Sequence, residues 1–205
     1  MTGLEREERL SDMGLLNKFA QYWNRFRLMI NSGYYTEYLM KQGVKIGKDS
    51  IVIYPSYIDA RLPYLVEIGN NVTVSRNVTI LAHDATTAYA GDMVKIGRVT
   101  IHDHCFIGAN STILCNISIG PNSIVGAGSV VTRNVLPDTV YAGNPARQVS
   151  TVKEFIEKVR KDKEQFPFFE GKDYQNPYIP ESRKDIIKDK LSKKHGYFCS
   201  RLPED

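Results

Sequence analysis

The 205-residue chain is short of cysteine, of long apolar runs and of charge of one sign, and each shortage excludes something. Its three cysteines, Cys105, Cys115 and Cys199, are odd in number and lack CxxC spacing, which argues against a disulfide framework. They read as small buried or incidental thiols. No run approaches the roughly 18 uncharged apolar residues of a membrane-spanning helix. The acidic opening Glu5, Glu7 and Glu8 is unlike the basic-then-apolar layout of a secretory signal, so the cytoplasm is the expected compartment. The 27 basic and 23 acidic side chains interleave, and residues 44–140 carry seven of each. Most of the +4 excess belongs to residues 141–205, so no continuous basic face for nucleic acid is expected.

What is present is β-branched residues in one place. Val and Ile total 34, and 26 of them lie between Val44 and Val140, which favours extended backbone there. They recur at a fixed period. Ile101, Ile107, Ile113, Ile119, Val125 and Val131 stand six residues apart, with Val99, Cys105, Ser111, Ile117, Ser123 and Ser129 two residues before them. The frame appears earlier as Ile46, Val52 and Ile58, and again as Ile68, Val74 and Ile80. An antiparallel sandwich alternates at period two with turns every 8–12 residues, which does not fit. The spacing predicts a solenoid of short parallel strands, mainly β, in which three hexads close one triangular coil and Gly or Asn near the corners permits positive φ. About five coils fit into residues 44–149, between a helical cap over 1–43 and a helical and irregular extension over 150–205.

With Ala142-Gly143-Asn144-Pro145-Ala146, these hexads resemble the hexapeptide-repeat acyltransferases, and within them the sugar and polysaccharide O-acetyltransferases, with galactoside, maltose and streptogramin acetyltransferases as cousins. The resemblance implies a left-handed parallel β-helix, a hand that periodicity does not supply. It also implies a homotrimer, acetyl-CoA as co-substrate, no metal, and a small-molecule or glycan acceptor.

The period breaks twice, and an insertion projecting from a solenoid is a place for function. Ile58 to Ile68 is ten residues, with about four extra around Asp59-Ala60-Arg61-Leu62-Pro63. Ile80 to Ile96 is sixteen, read as about four beyond two hexads, and contains Leu81-Ala82-His83-Asp84-Ala85-Thr86-Thr87. Acetyl transfer to a hydroxyl needs a base for the hydroxyl proton and an acid for the departing thiolate, and an imidazole suits both. His83 is polar at the start of the inserted loop and matches the position of the catalytic histidine in the resembling family. Asp59 and Asp84 are candidates to orient it or to touch substrate. As Asp84 is adjacent in extended chain, its side chain is expected to turn away, while Asp59 is equally readable as a corner cap. Neither Cys105 nor Cys115 falls in a break, which favours direct transfer over an acyl-enzyme. By resemblance, Gly108, Ala109, Gly126 and Ala127 would let the thioester arm approach the backbone, with Thr132, Arg133 and Arg147 near the nucleotide phosphates.

Alternatives stay open at this level. His83, His102 and His104 invite comparison with the γ-class carbonic anhydrases, which share the implied fold and bind zinc through three histidines, although the spacing departs from theirs, and His102, read at a corner, and His104, read on a side two residues on, are expected to diverge. N-acetylation of an amino sugar and a non-catalytic trimeric solenoid are the others. Asp59, Arg61, Tyr64, Asp84, Thr86 and Tyr89 in the inserts name no acceptor. Leu16, Phe19, Trp23, Phe26 and Ile30 make one apolar helix face, expected to cover the open first coil or, with Lys18, Arg25 and Arg27, to touch a membrane surface. A short helix from Val152 ending before Pro167, an irregular aromatic stretch over 167–182 and a charged helix from Lys184 to Lys194 complete the expected outline.

Overall fold

The structure, a computed structural model, describes residues 31–169 and 179–198. They fall in two compact units, Met1–Val152 and Lys153–Asp205. The predicted Leu16–Ile30 face, Tyr174, Tyr178 and Cys199 lie outside the described residues.

The first unit is a left-handed parallel β-helix whose hexads wind over three faces. The first face holds β1 (Lys45–Ile46), β4 (Val66–Ile68), β9 (Val99–Ile101) and β12 (Ile117–Ile119). The second stacks β2 (Ile51–Val52), β5 (Thr73–Val74), β10 (Phe106–Ile107), β13 (Ile124–Val125), β15 (Thr139–Ala142) and the antiparallel β16 (Arg147–Thr151). The third holds β3 (Tyr57–Ile58), β6 (Thr79–Ile80), β11 (Thr112–Ile113) and β14 (Val130–Val131). Four coils are complete, and a fifth is formed in part by Val135, which bridges to Ile119, and by β15.

The period-six residues become three columns in register. Ile68, Ile101 and Ile119 stack on the first face, Val52, Val74, Ile107 and Val125 on the second, and Ile58, Ile80, Ile113 and Val131 on the third, all buried. Fully burying each such side chain contributes about 1.5–3 kcal/mol. The positions two residues earlier, Cys105, Ser111, Ser123 and Ser129 among them, are buried too, and their polar atoms bond to backbone: Ser111 Oγ donates to Gly126 O at 3.0 Å and Ser123 Oγ to Leu136 O at 2.8 Å. Corners are carried by Asn and Asp in the left-handed region, including Asn71, Asn77, Asn110, Asn116 and Asn122, whose short side chains tolerate it.

Registers measure the two breaks. Phe106 pairs with Ile124, eighteen residues on, the length of three hexads. Ile51 pairs with Thr73, four residues more, as read from sequence. Val74 pairs with Ile107, fifteen more than a regular coil, so the second insert is larger than the sequence reading allowed. Ile96 does not resume the coil. It lies 60% exposed in β8 (Lys95–Ile96), which pairs antiparallel with β7 (His83–Asp84) as the stem of a projecting loop. Its place in the hexad count misleads because no coil strand lies above or below it.

The first coil is covered by α1 (Ser32–Lys41), N-capped by the Asn31 side chain, which accepts from the Gly33 amide at 2.9 Å. Thr36 and Leu39 are buried under it. Thr36 Oγ1 accepts from the Val52 amide at 3.0 Å, and the Tyr35 hydroxyl donates to the Ser56 carbonyl, so polar groups of the solenoid's open end are paired. Burial, aided by Tyr38 and Tyr54, pushes the Tyr35 phenol up to about 12.

In the second unit, α2 (Val152–Gln165) enters from the solenoid, and α3 (Glu181–Lys190) begins three residues before the predicted Lys184. β17 (Phe168–Phe169) pairs in parallel with β18 (Tyr197–Phe198). Phe166 stacks on His195 at 4.0 Å and Phe169 is buried, so part of the tail's aromatic content packs within its own unit. No helix among the described residues is long and apolar enough to cross a membrane.

Close stacking dictates one predicted donor-site residue. A Cβ on Gly108 would lie 2.4 Å from the Ala127 nitrogen, backbone of the next coil, whereas Gly128, at φ +70, faces open space. Gly108→Ala is therefore expected to lower stability by about 1–3 kcal/mol or more through overpacking. The check is the urea unfolding midpoint, and Gly128→Asn, an Asn-tolerant corner, should move it far less.

Candidate functional site

The two breaks meet. β3 ends the third face of the first coil and delivers Asp59 inward, where its side chain has no exposure. β6 ends the same face one coil later and delivers His83 on β7. The Asp59 carboxylate accepts the Ala82 amide at 2.9 Å, the Arg61 amide at 3.1 Å and Nδ1–H of His83. Burial pushes the carboxyl up, but the bonds from His83, Ala82 and Arg61 outweigh it, so its pKa is lowered from the ordinary carboxylate value. With Nδ1–H donating to Asp59, the lone pair of the imidazole is on Nε2, for which no partner is found among the described residues. The histidine side chain is 21% exposed, so one edge is held and the other is open.

That open edge faces a groove of about 450 Å³ lined by Leu81, His83, Asp84, Ala85, Thr86, Lys95, Leu114, Cys115 and Thr132. Leu81, Leu114 and Thr132 are one column, each the residue after the buried aliphatic of the third face: the Leu81 amide donates to Ile113 O and the Leu114 amide to Val131 O. Their signal in the sequence is that position, available only once the hexads are assigned to faces. Lys95 reaches the groove because β8 pairs it opposite Asp84.

The predicted residues separate into sets. His83 and Asp59 are brought together, and Thr132 joins them at the groove. Asp84 also lines the groove, but it caps the 3₁₀ segment Ala85–Ala90, its Oδ1 accepting from the Thr86 amide at 3.0 Å and hydroxyl at 2.6 Å. It makes no hydrogen bond to His83. Gly108, Ala109, Gly126 and Ala127 form the corner between the second and third faces, whereas the groove lies at the corner between the third and first. Within one chain these are different corners. Arg133 and Arg147 are exposed near the last coils, and Arg147 donates to the Ala146 carbonyl at 2.9 Å.

Two expectations need correction. Cys115 was expected away from the breaks, yet it lines the groove with His83, because the corner it occupies stacks above Ala82 and Leu81. His104, not His102, is the corner residue, at φ 58, while His102 follows β9 and lies 3.2 Å from Ser118 Oγ through Nε2. Among the described residues no group of three His, Cys, Asp or Glu side chains is placed to hold a metal ion, so His83, His102 and His104 do not converge.

Chemically, a buried carboxylate behind an imidazole whose free nitrogen opens on a groove can move a proton to and from a bound group. Comparison with known proteins agrees with transferase chemistry. The family described as bacterial transferase hexapeptide (six repeats) matches residues 98–133. YvoF of Bacillus subtilis (strain 168), provisionally named an acetyltransferase, is 35% identical over 121 residues, covering 59% of this chain and 68% of that protein. The galactoside O-acetyltransferase of Escherichia coli (strain K12) is 34% identical over 93 residues, covering 43% of this chain and 45% of the relative, so the chain spans under half of that protein's length. Among solved structures, a maltose O-acetyltransferase from Clostridium difficile 630 is similar at 25% identity, covering 65% of this chain and 84% of that one, with a TM-score of 0.48. The match to YvoF over more than two thirds of its length, together with the hexapeptide motif on the coils that carry Leu114, Cys115 and Thr132, establishes that the chain belongs to the hexapeptide-repeat transferase family, as one of its acetyltransferases.

Proposed function

We propose that the protein transfers an acetyl group from acetyl-CoA to a hydroxyl of a sugar or glycan precursor, in one direct step with both substrates bound. The observation that carries this reading is the Asp59–His83 pair opening on the groove. His83 Nε2 takes the hydroxyl proton as the oxygen attacks the thioester carbonyl. Asp59 holds the ring and balances the imidazolium, which then protonates the departing thiolate. Cys115 Sγ makes no hydrogen bond to the imidazole, which supports a hydroxyl acceptor as the productive nucleophile. The galactoside O-acetyltransferase relative supports a sugar acceptor.

The donor is assigned to Thr132, Arg133 and Arg147 with the small-residue corner of Gly108, Ala109, Gly126 and Ala127. That corner and the His83 groove lie on opposite sides of the third face, and this separation supports a homotrimer in which neighbouring copies bring the two corners to one cleft. Light scattering should give the mass of three chains.

Purified protein with acetyl-CoA and a panel of sugars and amino sugars should release free thiol, and product analysis separates O- from N-acetylation. His83→Ala should lower kcat by about 10²- to 10⁴-fold. Full turnover by that variant would end the assignment of the base.

Asp59→Asn should cost about 10- to 100-fold in kcat, as the loss of a group that orients another does. It also has a pH signature. Because the folded-state pKa of Asp59 is lowered, its charge stabilises the fold above the ordinary carboxylate value near 3.9, and that contribution fades as pH falls through the folded value. The stability gap between wild type and Asp59→Asn, followed by urea midpoints, should therefore be full at neutral pH and narrow in acid below about pH 4.

A further inference from the structure

We infer that Cys115 is a covalent acyl-acceptor site: with acetyl-CoA bound and no hydroxyl acceptor present, the chain slowly acetylates its own thiol. The inference rests on the reading of the groove as the acetyl-transfer site. Cys115 is 6% exposed and lines the groove that also holds His83 and Thr132. Its Sγ has no hydrogen-bond partner among the described residues, so nothing in the fold occupies the thiol. The imidazole of His83, on the same groove, is likewise held at Nδ1 by Asp59 and has no partner at Nε2 among the described residues. A thiol, a base with a free nitrogen and a thioester delivered between them are the components of thioester exchange. Cys105 supplies the contrast. It is 2% exposed, its Sγ donates to Gly120 O at 3.0 Å, burial pushes its thiol up, and it lines no part of the groove.

The step balances without a co-reactant. His83 Nε2 takes the Cys115 proton, a bond forms between Sγ and the acetyl carbonyl carbon, the bond from that carbon to the coenzyme A sulfur breaks, and the departing thiolate takes the proton from the imidazolium. One thioester replaces another, so excess coenzyme A reverses the reaction. Because no hydrogen bond links Sγ to the imidazole at rest, the exchange is slow beside transfer to a hydroxyl.

The test uses the full chain with acetyl-CoA alone, reading intact mass, peptide mass and, on the same sample, coenzyme A binding by calorimetry. The expected result is one acetyl group per chain on the Cys115 peptide, removed by hydroxylamine or by excess coenzyme A, and formed about tenfold or more slowly in His83→Ala. Cys115→Ala should lose it, and any acetyl group that Cys115→Ser takes up should be an oxygen ester that neutral hydroxylamine leaves in place, whereas the same neutral treatment strips the wild-type thioester. Coenzyme A binding without an adduct, or an adduct only at Cys199, overturns the inference and leaves the transferase reading standing. An unchanged rate in His83→Ala overturns the proton path. Failure to bind acetyl-CoA overturns both readings.

Discussion

Everything in the solenoid depends on coil stacking. A two-residue strand such as Val130–Val131 has no stability of its own, and one triangular coil cannot enclose a core. Stacked in parallel, an inner strand such as Thr112–Ile113 has its backbone paired by the coils on either side, and the aliphatic columns exclude water along the axis. Side chains at the corners are set by the same constraint. Where a Cβ would strike the next coil, as at Gly108, only glycine fits; where the chain must turn left-handed, Asn or Asp serves.

Stacking also explains where chemistry can be placed. A regular coil leaves no room for an insert, so extra residues leave at a corner and return to the same column. The first insert departs after Ile58 and the second after Ile80, neighbours in one column of the third face. The residues that follow them, Asp59 and Leu81-Ala82-His83, are thereby forced side by side. Burying the Asp59 carboxylate without partners would be costly; two backbone amides and the imidazole offset that. The pair is a consequence of two insertions sharing a column.

Much of this was legible in the sequence. The unbroken run from Ile101 to Val131 gives the period, the period gives the columns, and both breaks are visible as departures from it. His83 stood out because it is polar at a break. Asp59 as its partner was one of two readings, since sequence spacing does not say which corner a residue's side chain enters. The length of the second insert exceeds the sequence reading because Ile96, five residues before Ile101, is taken there as the return to the coil, and only strand pairing separates an aliphatic residue in a column from one in a hairpin. Cys115, Leu114 and Lys95 were missed for a related reason: they enter the groove through stacking or hairpin pairing, without any motif.

The sequence by itself determined the repeat, the residues of the core and the positions at which the coil is interrupted, because period-six burial is a one-dimensional property of the chain. The tertiary structure alone decided which residues share a corner. Contacts between coils join positions sixteen, eighteen, twenty-two or thirty-three residues apart, according to what lies between them. That variable offset put Asp59 behind His83, turned Asp84 to cap its own loop, brought Cys115 into the groove and kept Gly108 and its neighbours at another corner.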